Sequence, residues 1–308
     1  MSNLDVERTP AVRAVCPVLE TPFTDDGHVD ERGFSRVVQH VTSTGVAAVM
    51  FPGFASEFHK LSDHERRRLV TLLLRHTNQL REVSAVISIA DHATTLAVDS
   101  ARWAVEQGAD ALNLLPPHFL GPSPLDVQTH VLAVLAEVDP VPVILQYAPA
   151  QTGTALNAEA IARIASEASN LVQVKVEATP PGTLISALNA QCPALTSVVG
   201  YGGVQLPDAL RRGAVGVQPG CSFVGLYQRI WNAWESGDRD DAVALHARML
   251  PYLSYWMQNV ELIIASEKLI SFRLGLIDSP HCRKPSYTLD REEVATVDRF
   301  LAEFADLL

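Results

Sequence analysis

The chain has 308 residues, of which 47% are hydrophobic and 19% are charged, and its formal net charge at pH 7 is −11. This size and apolar content suit one large α/β domain, whereas the negative charge argues against nucleic acid, which binds clustered cations. The four cysteines are scattered and have no C-x-x-C spacing, which predicts free thiols in a reduced cytoplasmic protein. The chain shows no apolar leader and no run of some twenty apolar residues, so we expect a soluble protein without membrane contact.

A short apolar run, a turn and a segment of helical periodicity follow one another repeatedly along the chain. The predicted strands are Val12–Leu19, Val46–Phe51, Val83–Ile89, Ala111–Leu115, Val141–Tyr147, Val172–Ala178, Ser197–Gly200 and Gly216–Gln218. Helix starts lie between them: Ser62 and Glu65 form a capping-box pattern, and Asn157 is placed to cap a helix through Glu167.

Eight apolar strands alternating with helices predict parallel strands that are buried on both faces. We therefore expect an α/β fold of the (β/α)8 (TIM) barrel type, with its active site at the carboxyl ends of the strands. A doubly wound open sheet is the alternative, but no glycine-rich fingerprint follows the first strand. Helical patterns over 223–270 and 290–308 predict a barrel over residues 1–222 and a C-terminal helical segment over 223–308.

Lys175 stands out because it interrupts the apolar strand Leu171-Val172-Gln173-Val174-Lys175-Val176 in a chain that has only four lysines. A lysine inside a buried strand is desolvated, which favours its neutral, nucleophilic form and suggests a Schiff base with a carbonyl substrate. Glu177 lies on the same strand face. It could hold the amine in place or shuttle protons, and the alternative is a purely structural Lys175–Glu177 pair.

Several spaced motifs carry a resemblance to a known family. They are Thr21-Pro22-Phe23, Gly53-Phe54-Ala55-Ser56-Glu57, Pro149 with Thr152-Gly153, Lys175 with Glu177-Ala178-Thr179, and the glycines Gly200, Gly213 and Gly216. In order and spacing they resemble the dihydrodipicolinate synthase/N-acetylneuraminate lyase family of class I (Schiff-base) aldolases. The resemblance covers about residues 11 to 225. It implies a barrel that is usually a homotetramer, a 2-oxo acid substrate, an imine on Lys175 and no metal or other cofactor.

The chain departs from the family where the resemblance implies a proton relay. Phe54 and Ala55 stand for the two threonines of G-T-T-G-E, and Gln146 stands for the tyrosine of Y-N-V-P. Pro117-His118-Phe119 replaces the P-Y-Y segment that supplies a tyrosine from the neighbouring subunit. Dihydrodipicolinate synthesis itself is therefore not expected.

Other groups are candidates to replace the missing hydroxyls. His118 is a candidate acid or base, and so is Tyr147 if a bulge turns it inward, although simple alternation points it outward. The expected substrate-binding residues are Ala55, Ser56, Gln146, Glu177, Gly200, Tyr201 and Gln218. Ser56 and the neighbouring amides would hold a carboxylate, and Gln146 and Gln218 would position hydroxyl groups.

The sequence thus predicts a Schiff-base-forming lyase, an aldolase or a dehydratase, that acts on pyruvate-type 2-oxo acids or 2-oxo-3-deoxy sugar acids. We expect a homo-oligomer, either a dimer or a tetramer. The alternative is a non-catalytic barrel that binds 2-oxo acids or regulates, and that has lost the proton relay.

Overall fold

The computed structural model describes residues 8–9, 11–80, 82–153 and 156–308. Eight strands alternate with helices along these residues, and the fold is the predicted (β/α)8 barrel followed by C-terminal helices. The strands are β1 Ala14–Val15, β2 Ala48–Phe51, β3 Ser84–Ile89, β4 Ala111–Leu114, β5 Val143–Tyr147, β6 Leu171–Val176, β7 Thr196–Val199 and β8 Gly216–Val217.

Two helices begin at the capping residues that the sequence indicated, Ser62 and Asn157, and Glu65 completes the capping box of Ser62. Asp30 caps α1 in the same way, by accepting a main-chain amide of the first helical turn. The barrel helices are α1 Glu31–Ser43, α2 Asp63–Thr77, α3 Thr94–Glu106, α4 Pro124–Val138, α5 Pro149–Thr152, α6 Ala158–Glu167, α7 Gly182–Gln191 and α8 Leu206–Arg211. The C-terminal helices are α9 Val224–Ser236, α10 Arg239–Trp256, α11 Val260–Arg273 and α12 Arg291–Glu303.

Packing divides the chain into two compact units, and the predicted boundary at residue 222 stays a prediction. As far as they are described, Met1–Arg13 and Ser84–Gln218 form the first unit, and Ala14–Val83 and Pro219–Leu308 form the second. The described helices include none that is long and apolar enough to cross a membrane.

The first unit contains a parallel sheet in the strand order β3-β4-β5-β6-β7-β8. Its register sets Ser88 beside Asn113, Gln146 beside Lys175, and Lys175 beside Val198. The one shift in the β5–β6 register falls at Val143/Ile144, at the start of the two strands. Side chains alternate along a strand, so Gln146, Lys175 and Glu177 share one face of the sheet, while Tyr147 and Val176 share the other.

The second unit contains β1, β2 and the C-terminal helices. Pro17 has no N–H group, so the ladder of the first strand is interrupted after Val15. It resumes where Val18 bridges to Met50 and Gly220. The turn after β2 is a short 3-10 helix over Phe54–Ser56 and ends at Glu57, which has a left-handed backbone with φ of 53°.

Candidate active site

Lys175 is buried on β6, with 3% of its surface exposed, and its amine lies beside the carboxylate of Glu177. Lys175 Nζ is 3.6 Å from Glu177 Oε1, and Glu177 is also buried. Two residues separate them along the strand, which places both side chains on the same face. The structure therefore contains the Lys175–Glu177 pair that the sequence suggested.

Glu177 is held in place from two sides. Gln146 Nε2 donates a hydrogen bond of 2.6 Å to Glu177 Oε2, and the main-chain amide of Tyr201 donates one of 3.4 Å to Oε1. Gly200 leaves room for the carboxylate, because a Cβ atom there would lie 2.6 Å from Glu177 Oε1. Gly200 and Tyr201 thus contribute to the site through the main chain, whereas their predicted role was contact with substrate.

Two residues that the sequence analysis missed extend this arrangement. Asn113 Nδ2 donates to Gln146 Oε1 at 2.8 Å and lies 2.9 Å from Ser88 Oγ, and Asn113 is completely buried. We call Ser88, Asn113, Gln146, Lys175 and Glu177 the Lys175 cluster. Asn113 interrupts an apolar strand in the way Lys175 does, so the same signal could have found it.

Both hydrogen-bonding ends of the Gln146 amide are used inside the cluster. Its oxygen accepts from Asn113 and its nitrogen donates to Glu177. Burying this amide without partners would be costly, so the bonds fix its orientation and, through it, that of Glu177. Gln146 is therefore placed to orient the carboxylate, whereas the sequence suggested that it positions substrate hydroxyls.

Tyr147 does not turn towards Lys175. The register shift lies at the other end of the strand, and Tyr147 pairs with Val176, on the face opposite to Gln146. There it lines a groove of about 720 Å³ with residues of α6 and α7, including Ala160 and Leu184. Burial raises the pKa of its phenol. The prediction of Tyr147 as acid or base is corrected, because the strand turns its side chain away.

His118 lies in the loop after β4 and is half-buried. Its ring packs on that of His92, with 4.5 Å between centroids, and its Nδ1 lies 3.3 Å from the Pro116 oxygen. Within the described residues, no hydrogen bond joins His118 to the Lys175 cluster.

Gln218 is buried directly after β8, where its main-chain amide donates a hydrogen bond to the Val199 oxygen.

Ser56, in the second unit, is bonded within its own turn. Its hydroxyl donates to the Leu19 oxygen and accepts from the Gly53 amide, its own amide donates to the Gly53 oxygen, and the side chain is fully buried. These bonds occupy the hydroxyl and the amide of Ser56, whereas the Ala55 amide, the other predicted donor, is not one of the groups they involve. The prediction for Ser56 is corrected to a structural role, while Ala55 lies half-buried in the same turn.

A buried lysine beside a carboxylate on a strand of a (β/α)8 barrel is an arrangement that can form a Schiff base with a carbonyl substrate. The family model of the dihydrodipicolinate synthetase family matches residues 11–304. The chain belongs to this family, which confirms the predicted resemblance.

Two curated relatives show how the family varies in activity. The 4-hydroxy-tetrahydrodipicolinate synthase of Methanothrix thermoacetophila is 29% identical, over 96% of this chain and 98% of its own. The L-2-keto-3-deoxyarabonate dehydratase of Azospirillum brasilense is 27% identical, over 90% of this chain and 89% of its own.

Solved structures share the fold. The dihydrodipicolinate synthase of Rhodopseudomonas palustris superimposes with a TM-score of 0.87 at 23% identity, covering 97% of this chain and 99% of that one. A prophage protein of the same family from E. coli K12, solved in complex with pyruvate, gives 0.86 at 22% identity, covering 96% and 99%.

Proposed function

We propose that this chain is a Schiff-base-forming lyase that acts on pyruvate-type 2-oxo acids or 2-oxo-3-deoxy sugar acids. The observation that carries the proposal is the buried Lys175 amine, 3.6 Å from a carboxylate that is itself fixed by Gln146 and the Tyr201 amide. Membership of the dihydrodipicolinate synthetase family supports it.

Lys175 supplies the nucleophile. Its amine attacks the ketone carbon of the 2-oxo acid, and loss of water gives an iminium that withdraws electrons from the adjacent carbon. A proton can then leave C3 to form an enamine. In a dehydratase the enamine electrons expel the C4 hydroxyl group, which takes up a proton and leaves as water. In an aldolase the iminium itself reacts: the C4 hydroxyl loses its proton, the electrons of the C3–C4 bond move to the iminium to form the enamine, and C4 leaves as an aldehyde.

Glu177 is the group that we assign to proton transfer. It is the only carboxylate paired with Lys175 among the described residues, and a general acid or base must lie within reach of the reacting atoms. Asn113 and Gln146 orient it, which supports a role beyond neutralising the lysine. This assignment gives the site an acid–base group where the family hydroxyls are replaced by Phe54, Ala55 and Gln146.

Dehydration is the reaction that we favour over synthesis of dihydrodipicolinate. The family hydroxyls are absent from this chain, and one relative of similar identity is named as an L-2-keto-3-deoxyarabonate dehydratase. The alternative is a barrel that binds 2-oxo acids without turnover, which the same absent hydroxyls favour.

A turnover screen with 2-oxo-3-deoxy sugar acids separates the two. We expect the wild-type protein to release a dehydrated or cleaved 2-oxo product, Lys175→Ala to fall to background, and Lys284→Ala, which removes an exposed lysine, to keep full activity. Binding of these acids without turnover by the wild-type protein would establish the alternative.

We also propose a cytoplasmic homo-oligomer, either a dimer or a tetramer. All four cysteines are free and buried, which suits a reducing compartment. Large apolar side chains of α3, of α4 and of the loop between β4 and α4 are exposed, and apolar patches commonly mark protein contacts. They are Leu96, Phe119, Leu120 and Leu125.

A further inference from the structure

Three buried glutamates of the second unit lie outside the proposed Lys175 chemistry. Glu20 follows β1, Glu57 follows β2 and Glu267 belongs to α11, and their exposed fractions are 2%, 0% and 6%. A buried carboxylate is strongly destabilising unless it is paired or protonated. Each therefore needs a partner or a proton.

Glu57 has cationic partners. Lys268 Nζ donates to Glu57 Oε1, while Lys60 Nζ and the Arg283 amide each lie 3.1 Å from Glu57 Oε2. Among the described residues, the side chains of Lys60, Lys268 and Arg283 form ion pairs with carboxylates other than Glu20 and Glu267. The pairs are Lys268–Glu57, Lys60–Glu57, Lys60–Glu261 and Arg283–Glu65.

Glu20 and Glu267 are left without an ion pair among the described residues. Both oxygens of Glu20 are buried, and neither accepts a well-formed hydrogen bond from a described group, although the Ser271 hydroxyl is close enough to lower the pKa of the carboxyl. Glu267 packs directly on Gly220, where a Cβ atom would overlap its carboxyl group. The Glu20 amide donates to Cys221 Sγ at 3.4 Å, so both glutamates meet the loop after β8.

The groups around Glu20 and Glu267 do not supply a positive charge that would balance two ionised carboxylates. Burial, with a smaller contribution from the charge of Glu57, raises the pKa of Glu20 to about 7 against the lowering effects of the Ser271 hydroxyl and the Lys268 charge. Burial and the charge of Glu20 raise the pKa of Glu267 to about 8, against the Cys221 and Ser222 amides.

Two other titratable side chains face the pair. Burial raises the pKa of the Cys221 thiol and of the Tyr227 phenol well above their ordinary values. Both therefore stay neutral near pH 7, so neither provides a counter-ion or a competing anion there.

We propose that Glu20 and Glu267 form a carboxyl pair that keeps at least one proton at neutral pH and holds α11 against the loops that follow β1 and β8. Loss of that proton at alkaline pH places two unpaired anions in the same buried space. The packing of α11 then weakens. The pair is a pH-sensitive contact that stabilises the packing of α11, and it is independent of the reaction at Lys175.

Protonation of the two carboxyls is linked to the free energy of folding. Both carboxyls have a higher pKa in the folded protein, about 7 and about 8, than the ordinary value of 4.5. Between pH 4.5 and about 8 the folded state therefore binds more protons than the unfolded state, and the free energy of unfolding falls as the pH rises through this range. The stability that the protonated Glu20–Glu267 pair contributes is fully present below about pH 4.5 and is lost above about pH 8.

Glutamine variants of the full chain test the proposal, since glutamine resembles a protonated glutamate and cannot ionise. We expect the urea midpoint of the wild-type protein to fall between pH 5 and 9 more steeply than that of E20Q/E267Q. At pH 9 the double variant should be the more stable protein. Glu235→Gln, which removes an exposed carboxylate of α9, should keep the wild-type slope.

Equal slopes for the wild-type protein and the double variant would overturn the proposal, as would a variant that is less stable at every pH. A second measurement needs no variant to fold. In the wild-type protein labelled with 13C at the glutamate carboxyls, at least one resonance should titrate with a midpoint between about pH 6.5 and 8.5. Titration of every glutamate below pH 6 would overturn the proposal equally.

Discussion

Lys175 and Glu177 are two residues apart on one strand, and this spacing alone places the amine beside the carboxylate. Alternation of side chains made the pair predictable from the sequence. The hydrogen bonds that orient Glu177 were less predictable, because Asn113 and Gln146 come from other strands and their meeting depends on register. Tyr147 shows the limit most clearly: its direction depended on where a bulge falls, and the bulge falls at the opposite end of the strand.

Gly200 offers a test of Glu177 that leaves the titratable groups in place. In Gly200→Ala the new methyl group would lie within 3 Å of the carboxyl group of Glu177, so we expect the side chain to be displaced. A shift of about 1 Å in a catalytic group can lower turnover by about 10²-fold. Steady-state kinetics should therefore show a fall of that order in kcat.

The matched control is Gly225→Ala, on α9, where the nearest heavy atom would be 3.6 Å away and the methyl group fits. Unchanged kcat in Gly200→Ala, with both variants folded, would mean that the position of Glu177 does not matter for catalysis.

At the level of helices and strands, the prediction succeeded where local sequence decides the structure. Ser62 with Glu65 and Asn157 cap helices as expected, because capping involves residues only three apart. The first strand is shorter than its apolar run, since Pro17 cannot donate to the ladder. Ser56 illustrates what local patterns miss: its hydroxyl bonds to Leu19, a residue 37 positions away.

The loop after β4 and the neighbouring helices α3 and α4 carry the exposed apolar patch. Phe119 and Leu120 are 73% and 89% exposed, far more than large apolar residues of this chain usually are. If a second copy covers them, Phe119→Asp with Leu120→Asp should shift the protein to a smaller species in sedimentation velocity. Introducing charge into an apolar contact makes association unfavourable.

Leu80→Asp, which alters an exposed leucine of the second unit, should leave the sedimentation coefficient unchanged. A wild-type protein that sediments as a monomer would contradict the proposed oligomer. An oligomer that survives both aspartates would place its contacts elsewhere.

For the molecule as a whole, periodicity predicted the barrel, but it could not reveal how the chain divides into units. The second unit joins the first two strands to the C-terminal helices. Within this unit, the turn after β2 and helix α11 are connected by buried charged groups such as Glu57 and Lys268, which are 211 residues apart in the sequence. A glutamate in a turn and a lysine in a helix give no sign of each other from sequence alone, whereas strands and helices signal themselves.

Trapping the imine is the most direct test that the Lys175 amine attacks a ketone. The protein is incubated with pyruvate, reduced with borohydride, digested and examined by mass spectrometry. We expect one added group, on the peptide that contains Lys175 and on none that contains Lys60, Lys268 or Lys284, and no addition without pyruvate. A Lys175 peptide of unmodified mass with pyruvate and with 2-oxo-3-deoxy sugar acids would contradict the proposed chemistry.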